Sequence, residues 1–327
     1  MVLREFARPL VEEEREIPQP GPYESLLRVT ACGVCGTDLK GYEGVVAAIR
    51  PPRVLGHEVA GEVVHVGPGA DAQLVGTRAC VYLYRGCGAC TYCKTDRENM
   101  CASPGPRIGF ERDGGFAEYV VCAADNLLPI PTGVENDAAA ILCDAAATAA
   151  RAVTRAHVVE GQRVAIIGVG GLGSFAVQLA ALAGAHVVAV DVRPERLRAA
   201  QELGARQAVD LRTQSLPAGL DAVIDFAGLS QTASAGFDAL SPDGILVVTG
   251  YDPAATFPIS TQTLARSQRR IAGSRGSTRG DLRAVIDLLA QGRLRALIGN
   301  RYPLRDANVA MSRVKEGHGI GRAVLMI

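Results

Sequence analysis

The chain of 327 residues is 48% hydrophobic and 21% charged, which is enough apolar material for two domains with buried cores. Its 34 basic residues balance 34 acidic ones, so no net field favours binding to nucleic acid or to an anionic membrane. The opening stretch MVLREFARPLVEEEREIP carries charges where a signal peptide needs an apolar core, and no apolar run reaches about 18 residues. We therefore expect a cytoplasmic protein.

Up to about residue 140, short strand-like segments alternate with glycine and proline. The segments SLLRVTACG, EVAGEVVHVG and RACVYLY predict a twisted, partly closed β domain. The stretch from Asp144 to His157 then lacks glycine and proline and is rich in alanine. It predicts a long helix that begins at Asp144 and marks the change of domain.

From Gln162 onward, strand-like and helix-like segments alternate. RVAIIG, HVVAVD, LDAVIDFAG and GILVVTG predict buried parallel strands, so this part is expected to be a doubly wound α/β domain of Rossmann type. After IAGS, the helical stretch DLRAVIDLLAQGRL and the terminal segment RAVLMI break the pattern. We therefore predict one domain at 1–144 with 276–327, and the Rossmann domain at 145–275.

A glycine-rich turn joins the first predicted strand of the Rossmann domain to its first helix. It has the pattern GxGxxG, in which successive glycines permit a tight turn, a close approach to a pyrophosphate and close packing of helix on strand. The helix N-terminus would then face the phosphates. The residues predicted to bind a dinucleotide here are Gly168, Val169, Gly170, Gly171, Leu172 and Gly173.

The next predicted strand ends at Asp191, close to the distance of about 20 residues at which such folds place a carboxylate for the ribose hydroxyls. A 2′-phosphate beside Asp191 would meet like charge, so the sequence favours NAD(H) over NADP(H). Arg193 and Arg196 lie close enough in sequence to weaken this exclusion, and Arg196 is counted among the predicted cofactor contacts. The alternative is a plain glycine turn with a helix-capping aspartate.

Four cysteines in RGCGACTYCKTDRENMC have the spacing CxxCxxCx7C. In a reducing compartment this spacing indicates a metal site more than disulfides, and zinc is the expected ion. Four thiolates give zinc a closed tetrahedral shell without a position for substrate. A zinc ribbon that binds nucleic acid is the alternative, but the neutral charge and the lack of a second such knuckle count against it. The four cysteines are Cys87, Cys90, Cys93 and Cys101.

GVCGTD, GHEVAGEV, the cysteine cluster and GVGGLG occur in the order and spacing of the zinc-dependent medium-chain alcohol dehydrogenases, which the chain resembles over nearly its whole length. The resemblance implies a GroES-like catalytic domain joined to a Rossmann domain. It also implies NAD(H) and two Zn²⁺ per chain, one catalytic and one structural, with the structural ion held by the four cysteines in a lobe at 85–101. A homodimer or homotetramer, paired through the edge strand of the Rossmann sheet, is implied as well.

The same resemblance assigns Cys35 and His57 as ligands of the catalytic zinc. A catalytic zinc needs a third protein ligand, and the neighbours Cys143 and Asp144 both carry suitable side chains. In the family a threonine commonly lies four residues beyond this ligand, so counting back from Thr148 selects Asp144. Cys143 stays the alternative ligand, and N-capping is the alternative role of Asp144.

Asp38 and Glu58 are predicted to support the metal ligands, one by accepting the free ring N–H of His57 and the other by tuning the field near the ion. Thr37 lies where the family has the hydroxyl that relays the alcohol proton towards the nicotinamide ribose. Lys40 replaces a histidine that often passes this proton to solvent, so the proton could leave through Lys40, through water or through neither.

Two further cofactor contacts are Thr148 and Arg322, of which Arg322 resembles the C-terminal arginine that reaches the cofactor phosphates in relatives. A surface arginine on the last strand is the alternative. Leu83 and Tyr84 precede the cysteine lobe where relatives line the substrate pocket, and core packing is an equal alternative.

The expected reaction is the reversible transfer of hydride between a primary or secondary alcohol and NAD, which gives the aldehyde or ketone. Dehydrogenation of a polyol or of threonine is an alternative within the same superfamily. A non-catalytic NAD sensor is a third hypothesis, but a sensor has no need of a zinc site with an open position. The expected partners are therefore small molecules, with no nucleic acid and no membrane.

Overall fold

A computed structural model of the chain describes residues 1–317 and 319–327. The strands, in chain order, are β1 (Val2–Leu3), β2 (Glu24–Val34), β3 (Arg53–Val54), β4 (Glu58–Val66), β5 (Arg78–Val81), β6 (Tyr119–Ala123), β7 (Leu127–Pro129), β8 (Arg163–Ile167), β9 (His186–Val190), β10 (Gln207–Val209), β11 (Leu220–Asp225), β12 (Leu240–Val248), β13 (Arg270–Gly273), β14 (Ile298–Pro303) and β15 (Arg322–Met326).

The α-helices, again in chain order, are α1 (Gly36–Tyr42), α2 (Asn136–Ile141), α3 (Ala147–Arg155), α4 (Gly173–Leu182), α5 (Pro194–Glu202), α6 (Ser230–Asp238), α7 (Thr261–Ser267), α8 (Arg279–Ala290) and α9 (Ala307–Lys315). A π-helical turn, Leu142–Ala146, connects α2 to α3. Short 3-10 turns lie at Ala72–Leu74, Cys93–Thr95, Glu98–Met100, Ala124–Asn126 and Leu304–Asp306. In the part of the chain described, no helix has the length and apolar character needed to span a membrane.

The chain forms two compact units, and the first comprises Met1–Asp144 and Thr278–Ile327. Its main sheet has the order β14-β15-β2-β4-β5-β7, with β6 also paired to β2. All of these pairings are antiparallel except that of β14 with β15. The long strand β2 is therefore the centre of the sheet, and both β4 and β15 run beside its carboxyl end, where Gly33 is paired with Glu58 and Val34 with Ala323.

The second unit, Ala145–Ser277, is built on a six-stranded sheet with the order β10-β9-β8-β11-β12-β13. Every pairing in it is parallel, as the continuous apolar strands predict. Strand β8 lies at the point where the strand order reverses, which is where open α/β sheets bind their ligands. The doubly wound Rossmann architecture is therefore confirmed.

The predicted helix start at Asp144 is wrong, because helical backbone already begins at Asn136 and Asp144 lies inside the π-helical turn. No glycine or proline follows Gly133 until after residue 155, so nothing stops the helix from forming early. The N-cap of α3 is Ala146, with no side-chain cap hydrogen bond. Asp144 therefore does not cap the helix, and its carboxylate lies beside His57 and Arg322 instead.

Candidate active site

Cys35, His57, Glu58 and Asp144 form a cluster of potential metal ligands in the first unit, and we call it the mixed cluster. One ligand atom from each residue lies within 4.8 Å of the others. Cys35 Sγ is 3.3 Å from His57 Nε2, and that nitrogen is 3.8 Å from Asp144 Oδ2. Tetrahedral zinc bonds of about 2.0–2.3 Å place neighbouring ligand atoms about 3.4–3.6 Å apart. The separations therefore fit one shared zinc ion.

Cys35 is held at the junction of β2 and α1 by the start of the helix itself. Its sulfur occupies the N-cap position and accepts the backbone N–H of Thr37 at 3.2 Å. In return, Asp38 Oδ2 accepts the backbone N–H of Cys35 at 2.9 Å. This reciprocal capping box fixes the direction of the sulfur, so the segment CGTD acts as one rigid piece.

The imidazole of His57 is oriented by Asp38. His57 Nδ1 lies 3.2 Å from Asp38 Oδ1, which also accepts the backbone N–H of Gly56 at 3.3 Å. A proton on Nδ1 leaves Nε2, the nitrogen that faces Cys35 and Asp144, with a free lone pair for a metal. Both residues are 2% exposed, so water does not compete for this hydrogen bond. Asp38 thus lies where a carboxylate was expected to accept the ring N–H.

Glu58 is paired with Arg322, the residue that the family resemblance assigns to the cofactor phosphates. Arg322 Nε donates to Glu58 Oε2 at 3.0 Å, Nη2 donates to Oε1, and Nη2 also lies 3.5 Å from Asp144 Oδ2. Both side chains are buried. Gly33 leaves the space for this pair, because a Cβ there would lie 1.8 Å from Glu58 Oε2. The phosphate role of Arg322 stays a prediction beside this observed pairing.

The mixed cluster and its surroundings carry more acidic than basic groups. Burial raises the pKa of Glu58 to about 8, although Arg322 opposes the shift, and burial also raises the pKa of Cys35. Burial alone would lower the pKa of His57, but Cys35, Asp38 and Asp144 together raise it well above its usual value. Three carboxyl groups, a thiol and an imidazole thus lie in and around the mixed cluster beside a single guanidinium. A divalent cation would compensate the negative charge that develops when the thiol and the carboxyl groups lose their protons.

The structure separates the two candidates for the third ligand. Asp144 projects its carboxylate from the π-helical turn into the mixed cluster. The Cys143 thiol instead lies 3.6 Å from the carbonyl oxygens of Val59 and Ala139, and it is not part of the cluster. A π-helical turn often marks a functional site, because the extra residue changes which side chains face one side of the helix.

The second candidate metal site, which we call the thiol cluster, consists of Cys87, Cys90, Cys93 and Cys101. Cys93 Sγ lies 4.0 Å from Cys87 Sγ and 3.6 Å from Cys90 Sγ, and Cys90 Sγ lies 3.9 Å from Cys101 Sγ. Zn–S bonds of 2.3 Å in a tetrahedron place the sulfurs about 3.8 Å apart, so the four thiols fit zinc. None of the cysteines in the described residues is in a disulfide.

Local backbone surrounds the thiol cluster with N–H donors. Cys87 N–H donates to Cys101 Sγ at 3.2 Å, Cys90 N–H donates to Cys87 Sγ at 3.4 Å, and Ser103 N–H donates to Cys101 Sγ at 3.4 Å. Backbone N–H groups of Ala102 and Cys93 lower the pKa of Cys90 to about 6. Backbone N–H groups also lower the pKa of Cys87, whereas desolvation raises the pKa of Cys93 to about 12. The loop therefore favours the thiolate that zinc requires at Cys87 and Cys90.

In the second unit, the glycine turn after β8 has the geometry of a dinucleotide loop. Gly168 has a φ of +85°, and a Cβ on Gly173 would lie 2.0 Å from the Gly168 carbonyl oxygen. A Cβ on Gly170 would meet only Arg196 Nη1, at 3.7 Å, so the space before this glycine is open. Gly168 thus permits the tight turn, Gly173 permits close packing of helix on strand, and Gly170 permits close approach of a ligand, as the pattern predicts.

Asp191, at the end of β9, is tied to this turn. Its Oδ2 accepts the backbone N–H of Val169 at 2.9 Å, while Oδ1 accepts those of Val192 and Arg193 at 2.8 Å and 3.0 Å. Arg196 Nη1 lies 3.7 Å from Oδ2. The carboxylate thus lies beside the turn, as a ribose-binding acid must.

Comparison with known proteins shows that the similarity to zinc-dependent dehydrogenases covers almost the whole chain. Residues 21–132 match the family model of the alcohol dehydrogenase GroES-like domain, and residues 171–291 match that of the zinc-binding dehydrogenases. An alcohol dehydrogenase of Geobacillus stearothermophilus is 33% identical over 336 residues, which cover 100% of this chain and 98% of that protein. The chain belongs to the medium-chain alcohol dehydrogenase family.

Two other members of this alcohol dehydrogenase family bear on the metal and the substrate. A cobalt- and zinc-bound thermostable alcohol dehydrogenase from Pyrobaculum aerophilum superposes with a TM-score of 0.89 at 31% identity, covering 100% of this chain and 99% of that one. An L-galactonate-5-dehydrogenase of Escherichia coli is 32% identical over 305 residues, 90% of this chain and 88% of that protein. The expected GroES-like fold and oxidoreductase class of this chain are therefore confirmed.

The remaining predicted residues lie in the GroES-like unit or at the start of the Rossmann unit. Thr37 and Lys40 are both half-buried on α1, with Thr37 next to Cys35. Thr148 is buried in the first turn of α3, and Leu83 and Tyr84 are buried just before the thiol cluster. Sequence reasoning missed the pairing of Arg322 with Glu58, since no local signal joins two residues 264 positions apart.

Proposed function

We propose that the chain is a zinc- and NAD(H)-dependent dehydrogenase that interconverts a small primary or secondary alcohol and its aldehyde or ketone. The observation that carries this proposal is the mixed cluster, where a thiol, an imidazole and a carboxylate lie at the separations that zinc requires. The surplus of buried acidic groups around it supports a cation there. The family to which the chain belongs acts on small-molecule alcohols and aldehydes.

Cys35, His57 and Asp144 would hold the catalytic zinc, and three protein ligands leave one position open for substrate. Zinc, when bound, supplies a Lewis acid strong enough to bring the pKa of water from 15.7 to about 7, and the same effect makes alcohol deprotonation accessible near neutral pH. NAD⁺, when bound, supplies the hydride acceptor. The overall change is alcohol plus NAD⁺ to carbonyl compound plus NADH and one proton.

The chain's own residues keep these groups in place. Asp38 holds the His57 proton on Nδ1, so that Nε2 stays free to bind metal. Arg322 holds Glu58 and offsets part of the acidic charge around Asp144. The Thr37 hydroxyl is proposed to pass the alcohol proton towards the ribose, and Lys40 is one route from there to solvent.

Dehydrogenation of a polyol or a sugar acid is the second candidate, and the 32% identity to an L-galactonate-5-dehydrogenase favours its inclusion. The metal and hydride chemistry would be unchanged. Only the polar groups that receive the additional hydroxyls of the substrate would differ.

Metal analysis and a substrate panel test the proposal together. We expect two zinc per chain and reduction of NAD⁺ with at least one secondary alcohol, polyol or sugar acid. NADP⁺ serves as the paired cofactor, and the predicted role of Asp191 requires a higher kcat/KM with NAD⁺. A zinc-loaded protein that binds NAD⁺ but oxidises no member of the panel would contradict the proposed reaction. Gel filtration of the same sample tests the proposed homodimer or homotetramer.

A further inference from the structure

Strand β6 has one edge without a neighbouring strand in the described residues, because it pairs only with β2. The residues on either side of it, Glu118 and Ala124, both make backbone hydrogen bonds to the β2 side. Backbone directions alternate along an antiparallel strand, so the N–H and C=O groups of Tyr119, Val121 and Ala123 point away from β2. Unpaired main-chain groups of this kind are a template for another strand.

The free edge borders a vacant strand position in the main sheet of the first unit. Strand β4 covers one side of β2, and β6 and β15 follow one another along the other side, at 24–28 and 31–34. Strand β14 lies outside β15 and ends at Pro303, opposite Met326. The position outside β6 is therefore the continuation of β14, but the chain turns away from it at Leu304–Asp306.

A groove of about 1040 Å³ lies at this vacant position. Its lining includes residues 119–121 of β6, the ends of β14 and β15 at 303–305 and 326–327, and the stretch 12–18. All of its lining residues belong to the first unit. An extended residue in a packed sheet takes up about 3.4 × 4.8 × 10 Å, so the groove has room for roughly six residues of an added strand.

Charged side chains around the groove are mostly acidic. Seven acidic side chains and four arginines line it. Arg15, Arg53 and Arg112 are already paired with carboxylates, whereas Arg305 forms no ion pair in the described part of the chain. Four exposed carboxylates likewise form no ion pair within residues 1–317 and 319–327, namely Glu12, Glu14, Glu16 and Glu118. A segment that fits the groove must therefore bring positive charge.

One wall of the groove is fixed before anything binds. Asp113 Oδ1 accepts the backbone N–H of Val54 at 2.9 Å, and the Gly114 N–H donates to the Val54 carbonyl oxygen at 2.9 Å. Arg15 Nη1 and Arg53 Nη1 donate to the same Asp113 carboxylate, each at 3.3 Å. Because this wall is preformed, most of the ordering cost of binding falls on the incoming segment.

We propose that the groove docks an extended, basic segment of a partner polypeptide, which joins the sheet as a strand beside β6. The outward N–H and C=O groups of Tyr119 and Val121 would bond its main chain, and lysine or arginine at alternate positions would meet the acidic stretch 12–16. A second copy of this chain fits less well, since a two-fold arrangement would bring two acidic grooves together. The inference does not depend on zinc or NAD(H).

Fluorescence anisotropy with labelled octapeptides tests the docking on the full, zinc-loaded chain. The probe alternates valine and lysine. One reference peptide alternates valine and glutamate, and the other is the lysine peptide with all of its backbone amides N-methylated. We expect the probe to bind at least about tenfold more tightly than either reference, because the first lacks complementary charge and the second lacks main-chain donors.

Variants of the chain separate the charge from the strand edge. Glu14→Gln combined with Glu16→Gln should weaken the probe about threefold to tenfold. Glu202→Gln, at an exposed carboxylate on α5 in the second unit, is the matched control and should change nothing. Tyr119→Pro removes an outward N–H that Tyr119→Ala keeps, so the proline variant should bind the probe at least about threefold more weakly than the alanine variant.

Three results would overturn the inference. Equal binding of the methylated and unmethylated lysine peptides would mean that charge alone attracts them and that no strand is added. Absence of probe binding up to about 1 mM would mean that the groove is not a docking surface for a basic segment. An oligomer in gel filtration that dissociates in the Glu14→Gln, Glu16→Gln variant would assign the groove to a second copy of this chain.

Discussion

The thiol cluster and the mixed cluster lie in the same unit and both fit zinc, but the chain builds them differently. The thiol cluster comes from 15 consecutive residues, Cys87 to Cys101, and its N–H donors belong to the same loop. The mixed cluster joins β2, β4 and the π-helical turn and needs Asp38 and Arg322 to complete it. Backbone donors lower the pKa of Cys90, whereas burial raises that of Cys35.

This contrast indicates a division of roles. A site whose own loop supplies N–H donors to its sulfurs suits the closed, structural ion that is proposed for the thiol cluster. A site whose titratable groups are mostly buried would hold the proposed catalytic ion in a dry, strongly polar setting, where electrostatic effects on a substrate are large. Variants that change one cluster and leave the other intact test whether the two clusters differ in this way.

The largest effect is expected for Cys35→Ser. Loss of a zinc ligand should reduce kcat by at least about 1,000-fold, more than the 10–100-fold typical of losing a residue that only supports a ligand. Steady-state kinetics and zinc content measure this change. Cys122→Ser makes the same atom exchange at a buried thiol outside both clusters and should leave kcat almost unchanged. Retained turnover in Cys35→Ser would refute the catalytic assignment.

Arg322→Met should cost about 3 kcal/mol in the free energy of unfolding, because it leaves Glu58 buried without its cationic partner. Denaturant unfolding of the metal-free protein measures the loss. Adding Glu58→Gln to the same chain should recover part of it at pH values above about 8, where Glu58 would otherwise carry an uncompensated charge. If the single and double variants have the same free energy of unfolding, Arg322 does not stabilise the protein by balancing the charge of Glu58.

Asp38→Asn should lower zinc affinity at the mixed cluster by about 10–100-fold. The backbone N–H of Cys35, the backbone N–H of Gly56 and the ring N–H of His57 all point at the Asp38 carboxylate, so an amide NH₂ would face other donors. Competition with a chelator measures the affinity. Asp71→Asn, at an exposed 3-10 turn, is the matched control. If Asp38→Asn binds zinc as tightly as the wild type does, Asp38 does not support the metal ligands.

The smallest effect is expected for Cys93→Ser, where the thiol cluster loses its ion and the unfolding free energy falls by about 1–2 kcal/mol. Proteolysis should become faster within 85–101, while kcat per catalytic zinc changes by less than about twofold. Thermal melting and limited proteolysis measure the change. If Cys93→Ser keeps the wild-type melting temperature but loses turnover, the thiol cluster is the catalytic site and the roles assigned to the two clusters are wrong.

The sequence predicted what local chemistry decides. The spacing CxxCxxCx7C located four thiols that the structure brings together, and the apolar segments after Gln162 gave the parallel sheet. The start of the helix at Asp144 was predicted wrongly, because an aspartate before an alanine-rich run resembles an N-cap whether or not the helix is already under way. A π-helical turn has no comparable sequence signal. The pairing of Arg322 with Glu58 arises only when β15 and β4 flank β2.

Gly33 limits how this enzyme can be redesigned. The residue touches no ligand, yet even a methyl group there would meet Glu58 Oε2 at 1.8 Å and Glu58 Cβ at 2.9 Å. Alanine, a conservative exchange, would push the Glu58 carboxylate away from the Arg322 guanidinium and change the electrostatic field at the mixed cluster. Directed evolution of substrate range should therefore keep position 33 invariant and place its diversity elsewhere.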